Sequence, residues 1–454
     1  MRMKTIAAAL FMAGVASPAF ATDGYYPHGY GMKAKGMGGA SVAMADDSFG
    51  GANNPASMVW AGDRFDIGVD LFSPKRDISR TGGPLDGSVS SGSNLFFVPE
   101  LGYNKMIGWD MSVGVSVYGN GGMNTDFNGG QFTAGTPGAQ VCAGFNQASG
   151  QAGPYNMLCG SGKLGMNLTQ LIVAPTFAKK VNKDNSFGVS LLLAAQQFKA
   201  EGLSGFFNFT SSVAGGPQAY ASSKLTDRGN DTTYGYGLKL GWMGKVSDTV
   251  TLGASYTSKV KMGKFTKYQD LFAGQGAFDM PESFELGIAF KANPKWTIAA
   301  DYERINYAGV DAVGNPSTMP GDGLGPNGGM PGTLGCDSCR GFGWSNINVF
   351  KLGAEYQYNP KLILRAGYNH SENPIQARDV TFNMIAPGVV RDHITMGFTY
   401  DVGKDSELTL AYMHAFRNSV QGASLFNAFG VPAGNEKIQM YENSLGIAYG
   451  IKLK

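Results

Sequence analysis

The chain has 454 residues, 43% of them hydrophobic and 15% charged, with 36 lysines and arginines against 34 acidic residues. So even a balance offers no clustered basic excess for a nucleic-acid partner. Beyond residue 21 no apolar run approaches the about 20 residues of a membrane-spanning helix, which leaves, for a chain with 67 glycines, 28 phenylalanines and 20 tyrosines, a membrane β-barrel, a β-helix or a secreted sandwich.

Residues 1–21 begin with Arg2 and Lys4, continue through an apolar run from Ile6 to Val15 and end Ser17-Pro18-Ala19-Phe20-Ala21. A basic start, a short apolar core and an A-x-A site predict a secretory signal peptide, with the mature chain starting at Thr22. Its removal takes away two cations and no acid, leaving 34 against 34.

Residues 22–60 show no sustained period of two and are rich in glycine, including Gly29, Gly31, Gly36, Gly38, Gly39, Gly50 and Gly51. Such density marks tight turns or close backbone approach. A phosphate-binding loop would need a lysine where Met37 stands, and no strand leads into it.

From residue 61 to 454 one pattern repeats: apolar residues at every second position. Phe65, Ile67, Val69 and Leu71 open it, followed by Met111, Val113, Val115 and Val117. Phe187 to Leu193, Phe284 to Phe290, Leu362 to Tyr368 and Leu445 to Ile451 continue it. Side chains of a strand alternate between two faces, so each run is a strand with one apolar face. Alternation alone does not say whether that face meets a core or lipid.

The joins decide. Short ones, with tight-turn chemistry, fall at 107–109, 182–185, 247–248, Asn293-Pro294, Asn359-Pro360 and 403–405. Long ones cover roughly 74–92, 120–166, 200–231, 263–280, 307–344, 372–387 and 418–438. Seven long and six short joins require about fourteen strands, and their alternation, with few exceptions, is the mark of an all-β, transmembrane, antiparallel up-and-down β-barrel of an outer membrane. A barrel of that size has a bore wider than its own side chains fill, so it is either an open water channel or is plugged, and residues 22–60, ahead of the first strand, are placed to serve as an N-terminal hatch plugging the lumen. The last strand ends at Lys454 rather than on the aromatic residue usual for such barrels.

The long joins carry apolar clusters, Leu203, Phe206, Phe207 and Phe209 in one and Phe265, Tyr268, Leu271, Phe272 and Phe278 in another. If exposed, they are capture surfaces for apolar ligands; otherwise they are loop packing or girdle residues. Cys142 with Cys159, and Cys336 with Cys339, are expected to form two local disulfides in an oxidising compartment. The C-x-x-C spacing also admits a redox motif or half a zinc site, but no partner ligands accompany it, so no metal or cofactor is expected.

Gly29-Tyr30-Gly31-Met32-Lys33-Ala34-Lys35-Gly36-Met37-Gly38-Gly39-Ala40, then Ala45-Asp46-Asp47, Asn54-Pro55-Ala56 and Gly62-Asp63-Arg64-Phe65, resemble the hatch and first strand of the FadL/TodX family of fatty acid and aromatic hydrocarbon transporters. The resemblance implies a monomer in the bacterial outer membrane, in contact with its lipid and lipopolysaccharide. It also implies passive uptake of long-chain fatty acids or hydrocarbons: loop capture, a pocket against the hatch, and sideways release through a gap at a kinked strand. Tyr25, Tyr26, Pro27 and His28 with the Asn54-Pro55-Ala56 turn would border that pocket. Lys239, Lys351 and Arg365, on predicted lumen faces, are candidate partners for a ligand carboxylate. The alternatives are a polar-solute porin, an adhesin, or a lipid hydrolase using His393 or His414, although neither G-x-S-x-G nor H-E-x-x-H is present; catalysis is not expected.

Overall fold

A computed structural model describes residues 22–210, 217–317 and 333–453; the expected signal peptide lies outside them. Among these residues one sheet holds sixteen strands, two of them short accessory pieces, Gly87–Ser90 and Lys261–Met262. The other fourteen form the wall. They are β1 (Arg64–Thr81), β2 (Phe96–Ile107), β3 (Met111–Phe127), β4 (Leu164–Lys180), β5 (Asn185–Glu201), β6 (Asp231–Lys245) and β7 (Val250–Thr257). The second half comprises β8 (Ser283–Asn293), β9 (Trp296–Ile305), β10 (Ile347–Asn359), β11 (Leu362–Ser371), β12 (Asp392–Asp401), β13 (Ser406–Ala423) and β14 (Asn435–Lys452). Each pairs antiparallel with the next, and β14 returns to β1 from Arg64↔Lys452 to Thr81↔Asn435, closing a barrel that leaves no free edge.

Burial shows which face is which. On β5, Phe187 is 52% exposed while Ser186 and Ser190 are fully buried. The same inversion puts Ile67, Leu238, Leu286, Leu352 and Ile447 outside and Asp66, Lys239, Glu285, Lys351 and Glu407 inside. An apolar exterior around a polar interior is the membrane-barrel arrangement.

Several strands run further than the turn signals suggested: β1 to Thr81, β3 to Phe127, β13 to Ala423. Pro74 read as a join. In the structure it lies inside β1, opposite Glu442, where β1 has lost its β2 partner above Phe72↔Phe96. Proline withholds a ladder donor and is tolerated where one side is unpaired.

Residues 22–62 sit within the bore. Lys35 Nζ is 2.7 Å from Asp70 Oδ2 of β1, and Lys33 Nζ is 2.6 Å from Glu407 Oε1 of β13. The amides of Ser41 and Val42 donate to Asp301 of β9 at 2.6 and 2.9 Å, and that of Gly38 donates to Thr395 of β12 at 2.9 Å. Backbone meets backbone at glycines of the wall. A Cβ on Gly188 would lie 2.3 Å from the Pro55 carbonyl carbon, and one on Gly241 would lie 2.0 Å from Asn54 Oδ1. Only glycine lets the segment come so near.

Candidate functional site

Three features stack along the bore. At the long-loop end a small apolar cavity is lined by Leu203 and Phe206 of loop 202–230, Leu271 and Phe272 of loop 258–282, with Leu158, Phe342, Phe382 and Ile385 from three further loops. Among the described residues Arg340 is the one charged residue in its lining, its guanidinium bonded to the Ser317 carbonyl. Beneath lies an aromatic layer: the Tyr25 ring is 5.0 Å from Tyr307, 5.7 Å from Trp344 and 5.2 Å from Tyr26. Tyr307 donates to the Asp23 carbonyl at 2.5 Å, and Trp344 donates to Asn383 at 2.6 Å, so the rings are pinned as well as packed. Lower still, a small polar cavity lies between Tyr26, Pro27, Tyr30 and the wall residues Lys239, Glu285, Glu303 and Lys351.

The wall is interrupted beside this stack. β2 and β3 pair only from Ile107↔Met111 up to Leu101↔Val117. Above that, β2 stays with β1 while β3 bulges at Asn120, between Gly119↔Leu171 and Gly121↔Gln170 of its β4 ladder. Every residue from Tyr118 to Met123 is buried, so alternation stops and the strand turns into the bore. Groups released by the lost ladder find other partners, as buried backbone must: the Gly122 amide donates to the Tyr25 carbonyl at 3.3 Å, and Arg76 donates to the carbonyls of Asn124 and Ser93. A further small cavity, lined by Phe72, Met123 and Met440 among others, adjoins the interruption.

The model of the outer membrane protein transport protein family (OMPP1/FadL/TodX) matches residues 156–425, more than half of the sequence. The chain belongs to that family. A FadL/TodX-family assignment places it in the outer membrane. It is 22% identical over 277 residues to an outer membrane protein of Neisseria meningitidis serogroup B, an alignment covering 53% of this chain and 55% of that relative's length. Among solved structures it is similar to the Pseudomonas putida toluene transporter TodX (TM-score 0.65, 21% identity, 94% of this chain and 99% of that one). The Ralstonia pickettii toluene transporter TbuX (0.59, 17%, 94% and 99%) and a Pseudomonas aeruginosa FadL homologue (0.62, 12%, 95% and 100%) share the fold.

Within this FadL/TodX-family barrel the residues singled out from sequence fall into groups. Tyr26 and Pro27 border the lower cavity and Tyr25 forms the aromatic layer. His28 stacks on His393 of β12, ring centroids 6.2 Å apart. Burial, with His393 and Lys35 nearby, holds the His28 imidazole well below its ordinary pKa. Asn54, Pro55 and Ala56 are not in the lining of the lower cavity: Asn54 Nδ2 donates to the carbonyls of Val42 and Trp242 at 2.7 and 2.9 Å, and its Oδ1 accepts from the Ala56 amide, fixing the turn against β5 and β6. This corrects the expectation that the triplet borders the pocket.

The loop clusters are buried rather than displayed. Leu203, Phe206, Phe207, Phe209, Phe265 and Phe272 are at most 9% exposed, and only Leu271 is partly so. They pack across loops, as Phe206–Phe382 at 5.6 Å and Phe209–Phe429 at 4.5 Å show. The three lumen cations are also engaged: Lys351 lies 2.8 Å from both Glu285 and Glu303, Lys239 lies 3.7 Å from Glu285, and Arg365 lies 2.7 Å from Glu355. Cys142 is bonded to Cys159 and Cys336 to Cys339. His393 faces inward with both ring nitrogens unbonded, while His414 Nδ1 is 3.0 Å from Asn443 Oδ1; among the described residues no serine is hydrogen-bonded to a histidine. Sequence reading missed Tyr307, Trp344, Arg76 and the β3 bulge, although Gly119-Asn120-Gly121-Gly122 inside a strand pattern is a bulge signal.

Proposed function

We propose that the protein carries hydrophobic compounds, long-chain fatty acids or hydrocarbons, passively across the outer membrane, residues 22–60 acting as a hatch. The observation that carries this is the interrupted β2–β3 ladder beside the bore. The physical need is set by solvation: each methylene left in water costs about 0.8 kcal/mol, so a chain of some 16 carbons released into an aqueous pore loses on the order of 10 kcal/mol. A side exit between β2 and β3 delivers the ligand to lipid instead. In this reading the ligand enters the apolar cavity, passes the Tyr25 layer as that layer yields, and leaves past Phe72 and Met123. Relatives described as toluene transporters support the class of cargo.

Deletion of Asn120 removes the extra residue of the bulge and lets β3 resume an unbroken ladder. Cells relying on this protein should then take up labelled oleate or hexadecane at least tenfold more slowly, with a normally assembled barrel. Undiminished uptake of both probes would overturn the exit route. Steady ion conductance from the intact protein in planar bilayers would favour a polar-solute porin instead.

A further inference from the structure

We propose that the outer surface of β1, β13 and β14 holds a binding site for a phosphorylated, acylated glycolipid, the chemistry of lipopolysaccharide. The proposal rests on the barrel's membrane orientation and is independent of what crosses the bore.

The outward residues of these strands change character in order. Leu71 and Leu445, directly paired, close the apolar band. The next outward row is polar: Ser73 pairs with Asn443, whose Oδ1 accepts from Tyr412 at 2.8 Å and is 3.0 Å from His414 Nδ1. The row above is cationic. Lys75 stands opposite Tyr441, and the Arg417 guanidinium lies over the same ring, 4.9 Å from its centroid. Arg417 reaches that position because β13 is irregular between Ala415 and Asn418, so Phe416 and Arg417 are both exposed opposite one β14 residue. Lys437, opposite Ser79, adds a third cation two rows higher. Asp77, 4.0 Å from Arg417, is the acid set among them, and it also accepts from Gln439 and Ser90.

Acyl-contacting leucines, a hydroxyl- and amide-bearing row and then a surplus of cations reproduce the vertical order of a lipid whose sugars carry phosphates. A cation stacked on an aromatic ring keeps its donors outward, suiting it to phosphate. On the side of β9 to β12 near the long-loop end, by contrast, Arg304 and Arg391 share their surface with three acids, Asp392, Glu372 and Glu282.

The test uses the purified full barrel in detergent and a short-core lipopolysaccharide as probe, binding being read by native mass spectrometry. Wild type should retain the probe, and the Lys75→Gln, Arg417→Gln, Lys437→Gln triple variant should bind at least tenfold more weakly. The same loss is expected when wild type meets enzymatically dephosphorylated probe. A triple variant exchanging Lys183, Lys361 and Lys404 at the short-turn end should bind normally. Heat-dependent gel mobility reports folding; if the first triple variant does not assemble, Arg417→Gln alone should lower binding at least threefold. Unchanged binding by the folded variant, or equal binding of the dephosphorylated probe, would overturn the proposal. So would displacement by inorganic phosphate at matching concentration, which would reveal a free-anion site.

Discussion

Asp23 illustrates how a single buried carboxyl sets the behaviour of the segment's first turn. Burial pushes its pKa up to about 6, against the attraction of Lys351 and a hydrogen bond from Asn369. A folded-state value raised above the unfolded one favours folding below the unfolded pKa and loses that advantage as pH rises through about 6. At about 1.4 kcal/mol per unit the full effect is on the order of 3 kcal/mol. Asp23→Asn should therefore slow hydrogen exchange of Tyr25 to His28 at pH 7.5, with the difference narrowing toward pH 4; a constant difference would refute the assignment. His28 opposes it, since a lowered imidazole pKa contributes stability above about 6.5 that is lost on acidification. None of this was legible in the sequence, where Asp23 is one acid among 34. Gly188 is a similar case, because the Pro55 backbone it admits lies more than 130 residues away in sequence.

Strands were readable where one face meets lipid, since Phe187, Val189, Leu191 and Leu193 alternate without interruption. Their upper ends were not, because above the apolar band the outer face turns polar while the inner face carries buried apolar residues such as Phe72, Ile78, Met123, Phe198 and Met440, so the alternation changes phase. Pro74 and the glycines after Tyr118 then imitate joins. The loops were opaque for another reason: Phe206 and Phe272 are buried by one another's loops, and pattern within one segment cannot announce its partner. Covalent ties matter here. Cys142–Cys159 closes a separation of 17 residues and joins helix Pro137–Asn146 to the strip whose Cys159 carbonyl accepts from Asn146 at 2.5 Å. Loop-closure entropy gives such a bond about 3 kcal/mol. Replacing both cysteines by serine should speed proteolysis within 128–163 severalfold while the barrel keeps its heat-dependent mobility, and equal cleavage rates would show the loops to be held by packing alone.

For the molecule as a whole, the inverted barrel makes a quantitative demand on its surroundings. Leu191 faces outward mid-strand, so Leu191→Arg should cost about 2–4 kcal/mol when the protein is unfolded from bilayers by denaturant, the range for a cation at the midplane. Gln421→Arg, also outward but near the long-loop end of β13, should cost less than about 1 kcal/mol. Equal costs would mean the band is misplaced. The length of β1 carries a further consequence. Its 18 residues, at about 3.4 Å each and tilted by about 40°, rise roughly 45 Å, where the hydrocarbon band needs about 25 Å. The remainder is about the thickness of the polar headgroup layers, so the upper wall of β1, where Lys75 stands opposite Tyr441, lies at the level of the lipid headgroups and not among the acyl chains.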